Sequence, residues 1–268
     1  QSAAVTYKED LFRNSNKFSQ NILGFGANSM NMLKRKALKL GATEFAAMAT
    51  SAFRTAENGS DALGFLSDET GIDVKVIKQE REASLGYLGA KAKLKDIKAP
   101  FVVWDIGGGS MQMTFAKGSK FEFYLGKLAS VSFKEKVIKD IQKKRLSTPN
   151  PLGQKTAKNA VALAKKYAIS DVPQKIKDAI SKSKVYGIGG VHYYSVRKQS
   201  LKKGKSYNQN DVRNALLKRS RLNDKQIGGK YSETDVSNLA LVLGYMKALG
   251  IKSVNTMKIN MAHGMLLE

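Results

Sequence analysis

The sequence predicts an α/β protein with two lobes. Strand-like apolar runs alternate with helix-like amphipathic segments, and this alternation restarts after a lysine-rich connection at residues 91–100. Two of the apolar strand candidates run directly into glycine-rich loops. A length of 268 residues allows two medium domains or one large one. We therefore expect a first lobe over residues 1–98 and a second over residues 99–256.

The elements of the first lobe follow from apolar periodicity and turn residues. An amphipathic helix is predicted over residues 28–40, with Gly41 as its C-terminal cap. Residues 45–50 form a small apolar run that ends in polar groups, which predicts a strand that gives way to a helix. A second strand is predicted over residues 73–77, and a helix follows over residues 82–89.

The second lobe begins with a strand at residues 101–106, because this run is apolar almost throughout. Alternation of Met111, Met113 and Phe115 then predicts the next strand of a meander. The remaining predicted elements are a strand at 121–125, helices at 130–144 and 154–167, a strand at 185–188, a helix with Ser232 as its N-cap, a strand at 254–261 and a helix start at 264–268.

The charge of the chain indicates an anionic partner. Lys and Arg number 46 against 22 Asp and Glu, which gives a formal net charge of +24. Nucleic acid, an acidic membrane surface and a polyphosphate chain all fit this charge, and so does a merely solvated surface. No apolar run approaches the roughly 20 residues of a membrane span.

The residue types exclude several classes of site. The chain has no cysteine, so disulfides, thiolate zinc sites and cysteine nucleophiles are excluded. Only His192 and His263 are present, which excludes a histidine-rich metal site. The chemistry must therefore use carboxylates, hydroxyls, backbone amides and basic side chains.

The strongest motif is Asp105 followed by Ile106 and the loop of Gly107, Gly108, Gly109 and Ser110. Consecutive glycines let backbone amides point into one concavity, as in loops that wrap a phosphate. An aspartate at the strand end can hold a metal ion or its water shell. A glycine-rich hairpin is the alternative, and the acidic residue and the hydroxyl favour the phosphate site.

A second loop, residues 187–190, repeats the arrangement of apolar strand, glycines and helix start. We expect Gly189 and Gly190 to bind phosphate there, aided by the dipole of the helix. The neighbouring His192 is interpreted as a packing residue.

These segments together resemble the exopolyphosphatase / guanosine pentaphosphate phosphohydrolase family. The resemblance rests on residues 49–59 (ATSAFRTAENG), residues 82–89 (EASLGYLG) and the two glycine loops, in the family's order and spacing. It implies the two-lobed fold of actin-like ATPases and sugar kinases, with an interlobe phosphate-binding cleft. It also implies that the closing segment, residues 257–268, packs back on the first lobe.

The resemblance implies roles for individual residues. Glu82 matches the catalytic base that deprotonates the attacking water, and Arg54 matches the arginine that holds the transferred phosphate. Ser51 would contact phosphate beside it. Asp105 and Gln112 would bind the cofactor Mg²⁺. Without the matching motifs, the preferred interpretations would be an ion pair of Arg54 with Glu57 or Glu82 and an ordinary solvated helix residue at Glu82.

Two departures from the family pattern bear on activity. The family's glycine loop continues with Ser-Thr-Glu, whereas Gln112 places an amide where a carboxylate is expected. The family also begins with a hairpin that carries a first Asp-x-Gly-Ser phosphate loop, and no such sequence is present. The start at Gln1, without initiator Met or signal segment, suggests a processed or excised product. We expect that the front part is missing from this sequence.

The leading functional hypothesis is an enzyme that releases terminal phosphate from inorganic polyphosphate or guanosine pentaphosphate. A catalytically weak polyphosphate or nucleotide sensor is the alternative, because of Gln112 and the missing loop. A kinase of the same superfamily is disfavoured by residues 49–59 and Glu82. Nucleic acid is disfavoured because basic segments such as residues 197–205 lack interleaved aromatics. No membrane partner is expected. The family favours the cytoplasm, while an exported form and a homodimer stay open.

Overall fold

The computed structural model describes residues 3–95, 97, 99–201 and 203–267. Gln1, the lobe boundary expected at residue 98 and Glu268 lie outside these described residues. The contacts within the chain divide the protein into two compact units, Gln1–Gln79 and Glu80–Glu268. The lobe bounds at residues 1–98, 99–256 and 257–268 stay predictions.

The first unit contains a short parallel sheet and four helices. Its elements are α1 (Tyr7–Arg13), α2 (Gln20–Leu38), β1 (Ala47–Ala49), α3 (Ser51–Thr55), α4 (Gly59–Thr70) and β2 (Val74–Val76). Strands β1 and β2 pair in parallel, with Ala47 opposite Val74. An apolar cluster around Leu66 holds α2 and α4 to this sheet, and a second cluster around Phe18 packs the four helices against one another.

Helix α2 begins eight residues before the predicted start at residue 28. Ser19 explains the difference, because its Oγ accepts a hydrogen bond from the Ile22 amide and caps the helix. The Asp10 carboxylate holds Ser19 in place, because it accepts hydrogen bonds from the Ser19 amide and from the Ser19 hydroxyl, each at 2.8 Å. At the other end, Gly41 has φ +87° and donates to the Leu38 carbonyl, as expected of a C-terminal cap.

The second unit is built on a six-stranded mixed sheet in the order β5-β4-β3-β6-β8-β7. Strands β3, β6 and β8 run parallel, while β3, β4 and β5 form the predicted antiparallel meander. The elements are α5 (Gln79–Lys93), β3 (Phe101–Ile106), β4 (Met111–Lys117), β5 (Lys120–Gly126), α6 (Ser130–Lys136), α7 (Gly153–Asp171), α8 (Gln174–Lys182), β6 (Lys184–Ile188), α9 (Arg197–Ser200), β7 (Ser206–Asn208), α10 (Gln209–Arg219), α11 (Asp224–Ile227), α12 (Ser232–Ala248), β8 (Ser253–Thr256) and α13 (Met261–Met265).

Two stretches of π-helix interrupt the α-helical pattern, at Val137–Gln142 and Val191–Val196. The first takes up the second half of the helix that was predicted over residues 130–144. Ser232 is the first residue of α12, and Tyr231 holds the N-cap position without a side-chain cap. The predicted strand at residues 254–261 is confined to β8, because Asn260 caps α13. The sequence analysis did not predict α1, α8, α9, β7, α10 or α11.

The alternation of side chains along β3 gives the sheet two different faces. Val102, Trp104 and Ile106 enter the main apolar core, which also contains α7 and α12. Phe101 and Val103 point the other way and pack with Tyr87 and Ala90 of α5. Asp105 follows the same alternation, so its carboxyl group lies on the α5 face.

Small residues let the helices approach closely. A side chain on Gly244 of α12 would meet the Ala164 side chain and the Val161 carbonyl of α7. On the other face, a side chain on Gly264 of α13 would overlap the Leu85 backbone of α5. Helix α13 therefore rests directly on α5. No helix among the described residues is both long and apolar enough to cross a membrane.

Candidate active site

Two carboxylates on the α5 face of the sheet lie within electrostatic reach of each other. Glu82, in the first turn of α5, is 9% exposed, and Asp105 is partly buried at the end of β3. Burial and, to a smaller extent, the negative charge of Glu82 together raise the pKa of Asp105 to about 7, against an opposing hydrogen bond from the Ile106 amide. Two such groups are suited to share a cation or to handle a proton.

Glycines on two neighbouring elements make room for Asp105. A side chain on Gly86 would press on the Ile188 side chain at 3.0 Å and lie 3.9 Å from Asp105 Oδ2. A side chain on Gly189 would overlap Asp105 Oδ1, and Gly189 also has φ +78°. Only glycine both adopts this positive φ without strain and leaves room for the Asp105 carboxylate at position 189. The sequence analysis missed Gly86, although a glycine inside a helix is itself a signal of close approach.

Gln112 lies on the same face as Asp105, because the two residues are directly opposed in the β3–β4 pairing. It is 2% exposed, and its Nε2 donates to Ser110 Oγ at 3.1 Å. This bond directs the amide nitrogen at Ser110 and leaves the carbonyl oxygen as the ligand that Gln112 can offer. Two residues further, Thr114 Oγ1 donates to the Ala83 carbonyl at 3.4 Å and ties β4 to α5.

The first glycine loop is a tight hairpin that also caps a helix. The Gly107 amide donates to the Ser110 carbonyl at 2.9 Å and closes the turn. The Gly107 and Gly108 carbonyls accept hydrogen bonds from the Ser130 and Val131 amides of α6, at 3.1 and 2.8 Å. The loop carbonyls are thereby turned toward α6. Within the described residues, the amides of Gly108 and Gly109 meet no protein acceptor, which leaves them for an anion.

The second glycine loop joins β6 to the π-helix Val191–Val196. Its Gly189 amide donates to the Ile259 carbonyl at 2.8 Å, and Gly190 is the exposed N-cap residue of the π-helix. His192 is fully buried, with Nδ1 2.6 Å from Tyr207 Oη and its ring against Trp104. Burial lowers the pKa of His192 to about 3, so the imidazole is neutral. These contacts agree with the packing role expected of it.

Ser51 and Arg54 belong to the first unit. Ser51 is the first residue of α3, and Arg54 Nη1 donates to the Ile77 carbonyl at 2.8 Å, beyond the end of β2. The second unit brings together the other predicted site residues, which are Glu82, Asp105, Gly107, Gly108, Gly109, Ser110, Gln112, Gly189 and Gly190. The roles of Ser51 and Arg54 stay predictions.

The donor set of the second unit fits a hard cation. Magnesium binds through one or two carboxylates, keeps several waters and takes further oxygens from phosphate. Asp105, Glu82 and the Gln112 carbonyl supply such oxygens. The described residues contain no group of three or more His, Cys, Asp and Glu that could form an all-protein metal cage.

Comparison with solved structures confirms the predicted α/β, actin-like fold. An exopolyphosphatase-like protein superposes with a TM-score of 0.77 and 18% identity over 99% of this chain and 89% of its own. An exopolyphosphatase from Cytophaga hutchinsonii gives a TM-score of 0.72 and 14% identity over 94% and 83%. The Aquifex aeolicus member of the Ppx/GppA family gives 0.70 and 17% over 97% and 84%.

Sequence comparisons lead to the same group of proteins. Exopolyphosphatase 1 of Mycobacterium tuberculosis is 35% identical over 78 residues, which are 29% of this chain and 23% of that protein. The Mycobacterium leprae protein of the same name is 33% identical over the same shares. The chain thus matches about a quarter of the length of these curated relatives. The profile of the Ppx/GppA phosphatase family matches residues 3–268. This chain belongs to the Ppx/GppA phosphatase family.

Proposed function

We propose that this protein is a phosphohydrolase that releases terminal phosphate from inorganic polyphosphate through attack by water. The observation that carries the proposal is the pair of Glu82 and Asp105 on one face of the sheet. Asp105 lies next to two glycine loops, and the first of these has backbone amides to offer. Family membership supports phosphatase activity, and the exopolyphosphatases among the relatives support polyphosphate as the substrate.

The two carboxylates have different roles. Glu82 orients the attacking water and accepts its proton, a role for which a carboxylate held close to the reacting phosphate and shielded from solvent is suited. Asp105 and the Gln112 carbonyl would hold Mg²⁺, which would neutralise the charge of the phosphate oxygens. The raised pKa of Asp105 supports this division, because a bound cation offsets both its burial and its repulsion from Glu82.

Backbone amides and basic groups hold the substrate. The Gly108 and Gly109 amides and the Ser110 hydroxyl face a phosphate from the first loop, and Gly189 and Gly190 border it from the second. Ser51 and Arg54 hold the transferred phosphate, a task for which a permanently charged planar guanidinium is suited. Phosphoryl transfer depends largely on such positioning and charge stabilisation.

The net charge of +24 favours a long inorganic chain over a small phosphate ester. Guanosine pentaphosphate is the second substrate to assay, because the family includes enzymes that hydrolyse it. Gln112 favours a second function, a sensor that binds polyphosphate with little turnover, because an amide gives the cation no negative charge.

The deciding experiment compares phosphate release from long-chain polyphosphate, with Mg²⁺, by the wild type and by the Glu82→Gln protein. We expect the substitution to lower the rate by about 100-fold or more, as loss of a general base does. Glu80→Gln is the matched control, because Glu80 lies in the same first turn of α5 but is exposed. Its rate should change by less than about twofold.

Three outcomes would speak against the proposal. Equal losses in the two variants would mean that the charge at the start of α5, rather than a base, is what matters. Turnover of guanosine pentaphosphate without turnover of polyphosphate would mean that guanosine pentaphosphate is the substrate. Tight binding of polyphosphate by a wild type that releases no phosphate would establish the sensor, and Gln112→Glu would then be the variant expected to restore turnover.

A further inference from the structure

A basic cavity lies at the far end of the helix that starts at the second glycine loop. We call it the arginine pocket; its volume is about 390 Å³, and it is lined by Arg197, Lys198, Leu201, Lys203 and Gly204. The neighbouring Lys202 lies outside the described residues and is not counted in the pocket. The residues proposed for catalysis do not line this cavity.

The cation at the base of the arginine pocket is held in place by its neighbours. The guanidinium carbon of Arg197 lies 4.1 Å from the centre of the Tyr193 ring. Its Nε donates to the Tyr193 carbonyl at 3.1 Å, and Nη1 donates to the Gly204 carbonyl at 3.3 Å. A guanidinium fixed in this way loses little further freedom when an anion binds to its remaining N–H groups.

A second cation is positioned beside it. Lys198 Nζ lies 5.4 Å from the centre of the Tyr194 ring, and the two tyrosines meet edge to face at 5.1 Å. These rings lie one turn before the basic segment, and residues 197–205 themselves contain no aromatic residue. Both rings are engaged by the protein's own cations.

The surroundings of the arginine pocket are depleted in negative charge. Residues 179–210 contain no Asp or Glu and seven Lys or Arg. Burial raises the pKa of Asp235, and this acidic group is near enough to Lys198 for the lysine charge to oppose the rise. It is half-buried, and its carboxylate accepts a hydrogen bond from Ser195 Oγ at 2.6 Å. Lys198 and Lys203 are both exposed. Their ammonium groups are therefore open to an anion from solvent.

We propose that the arginine pocket is a second binding site for an inorganic polyphosphate chain, which holds phosphates distant from the one being hydrolysed. A nucleotide or single-stranded RNA would need an aromatic platform for its base, whereas here one face of each tyrosine ring is already occupied by a cation. The π-helix Val191–Val196 and α9 link Gly190 to Arg197 over roughly 10 Å, so only a chain of several phosphates reaches both places. This inference rests on the proposed function.

The test uses the double variant Lys198→Gln/Lys203→Gln, which leaves the structural hydrogen bonds of Arg197 intact. We expect its KM for long-chain polyphosphate to rise roughly tenfold, because two charge-assisted contacts are lost. Its KM for tripolyphosphate, which is too short to reach the arginine pocket, should change by less than about twofold. The salt dependence of long-chain binding should also weaken in the variant.

The matched control is Lys155→Gln/Lys158→Gln, because both lysines are exposed on α7 and the same net charge is removed. An equal rise of KM in the control would overturn the proposal in favour of general charge attraction. Equal losses on both substrates would also overturn it, since the variant would then disturb the catalytic residues.

A binding measurement keeps this inference separate from the proposed function. Fluorescence anisotropy of labelled long-chain polyphosphate is recorded with the wild type, the pocket variant and the control. If the wild type releases no phosphate, the proposed function fails, yet weaker binding by the pocket variant alone would still establish the site. Single-stranded RNA that competes as strongly as polyphosphate would overturn the assignment of the ligand.

Discussion

The two faces of the sheet in the second unit bury ionisable groups in opposite ways. On the face that carries α7 and α12, His192 is neutral, bonded to Tyr207 and surrounded by aromatic rings. On the face that carries α5, burial and the neighbouring charge of Glu82 raise the pKa of Asp105. Burial alone therefore does not indicate a site. Two carboxylates held close together do, because a bound cation would offset their repulsion.

Asp105→Asn tests this comparison with the largest expected effect. The variant should lower phosphate release from polyphosphate on the order of 100- to 1,000-fold, because the cation would lose its principal carboxylate. The rate should be measured over a range of Mg²⁺ concentrations. Asp178→Asn, at an exposed position on α8, is the control and should stay within about twofold of the wild type. Full activity of Asp105→Asn would remove Asp105 from the site.

Gly189→Ala sharpens the comparison, because position 189 borders the carboxylate. The alanine must adopt φ +78° and its methyl group would overlap Asp105, so we expect a loss of about 3 kcal/mol in the free energy of unfolding. Gly190→Ala is the matched control, since that position has φ −67° and open space around it. It should change stability by about 0.5 kcal/mol at most. Urea denaturation measures both; equal losses would show that the carboxylate contact is unimportant.

The dependence of stability on pH should separate the two faces. The folded protein keeps the Asp105 proton up to about pH 7, whereas the unfolded chain loses it near pH 4. Without divalent metal, the free energy of unfolding should therefore fall by about 2 kcal/mol as pH rises from 4 to 7. This loss is smaller than the free energy that corresponds to the whole change in the pKa of Asp105, because Asp105 retains some contact with water.

His192 contributes the opposite slope. Its pKa is lowered to about 3, so the unfolded chain takes up a proton below pH 6.5 while the folded protein does not. Its stabilising contribution is present above pH 6.5 and is lost as pH falls. In the Asp105→Asn protein, the loss of unfolding free energy between pH 4 and 7 on raising the pH should disappear, and the loss on lowering the pH below 6.5 should remain. A loss of stability between pH 4 and 7 that persists in that variant would assign it to other groups.

Tyr207→Phe has the smallest expected effect and probes the neutral face. It removes the hydroxyl bonded to His192 Nδ1 and leaves a buried imidazole nitrogen without a partner, at a cost of about 1 kcal/mol. Thermal unfolding gives the stability, and the same protein should keep its kcat on polyphosphate. A lower kcat at unchanged stability would give the His192 face a part in catalysis.

Local pattern was enough for several parts of the fold. The strand at 101–106 agrees with β3 at both ends, because a strand buried on both faces is apolar throughout and ends where glycines begin. The edge strand β7 was not predicted, because a three-residue strand carries little periodicity. Helix was predicted at Val137–Gln142 and at the start of Val191–Val196, but the sequence pattern did not indicate its π form. The helix predicted at 154–167 extends to Gly153–Asp171, and its alanines are buried in the main core together with residues of α12.

Local strings of residues were enough to predict the family and the α/β class and to propose candidate site residues, because glycine loops next to carboxylates have few other uses. How these residues meet depends on the tertiary fold. The parallel pairing of β3 with β6 brings Asp105 beside Gly189 across more than 80 residues of chain, and α5 brings Glu82 within electrostatic reach of Asp105. Distant contacts of this kind depend on packing, which no local periodicity encodes.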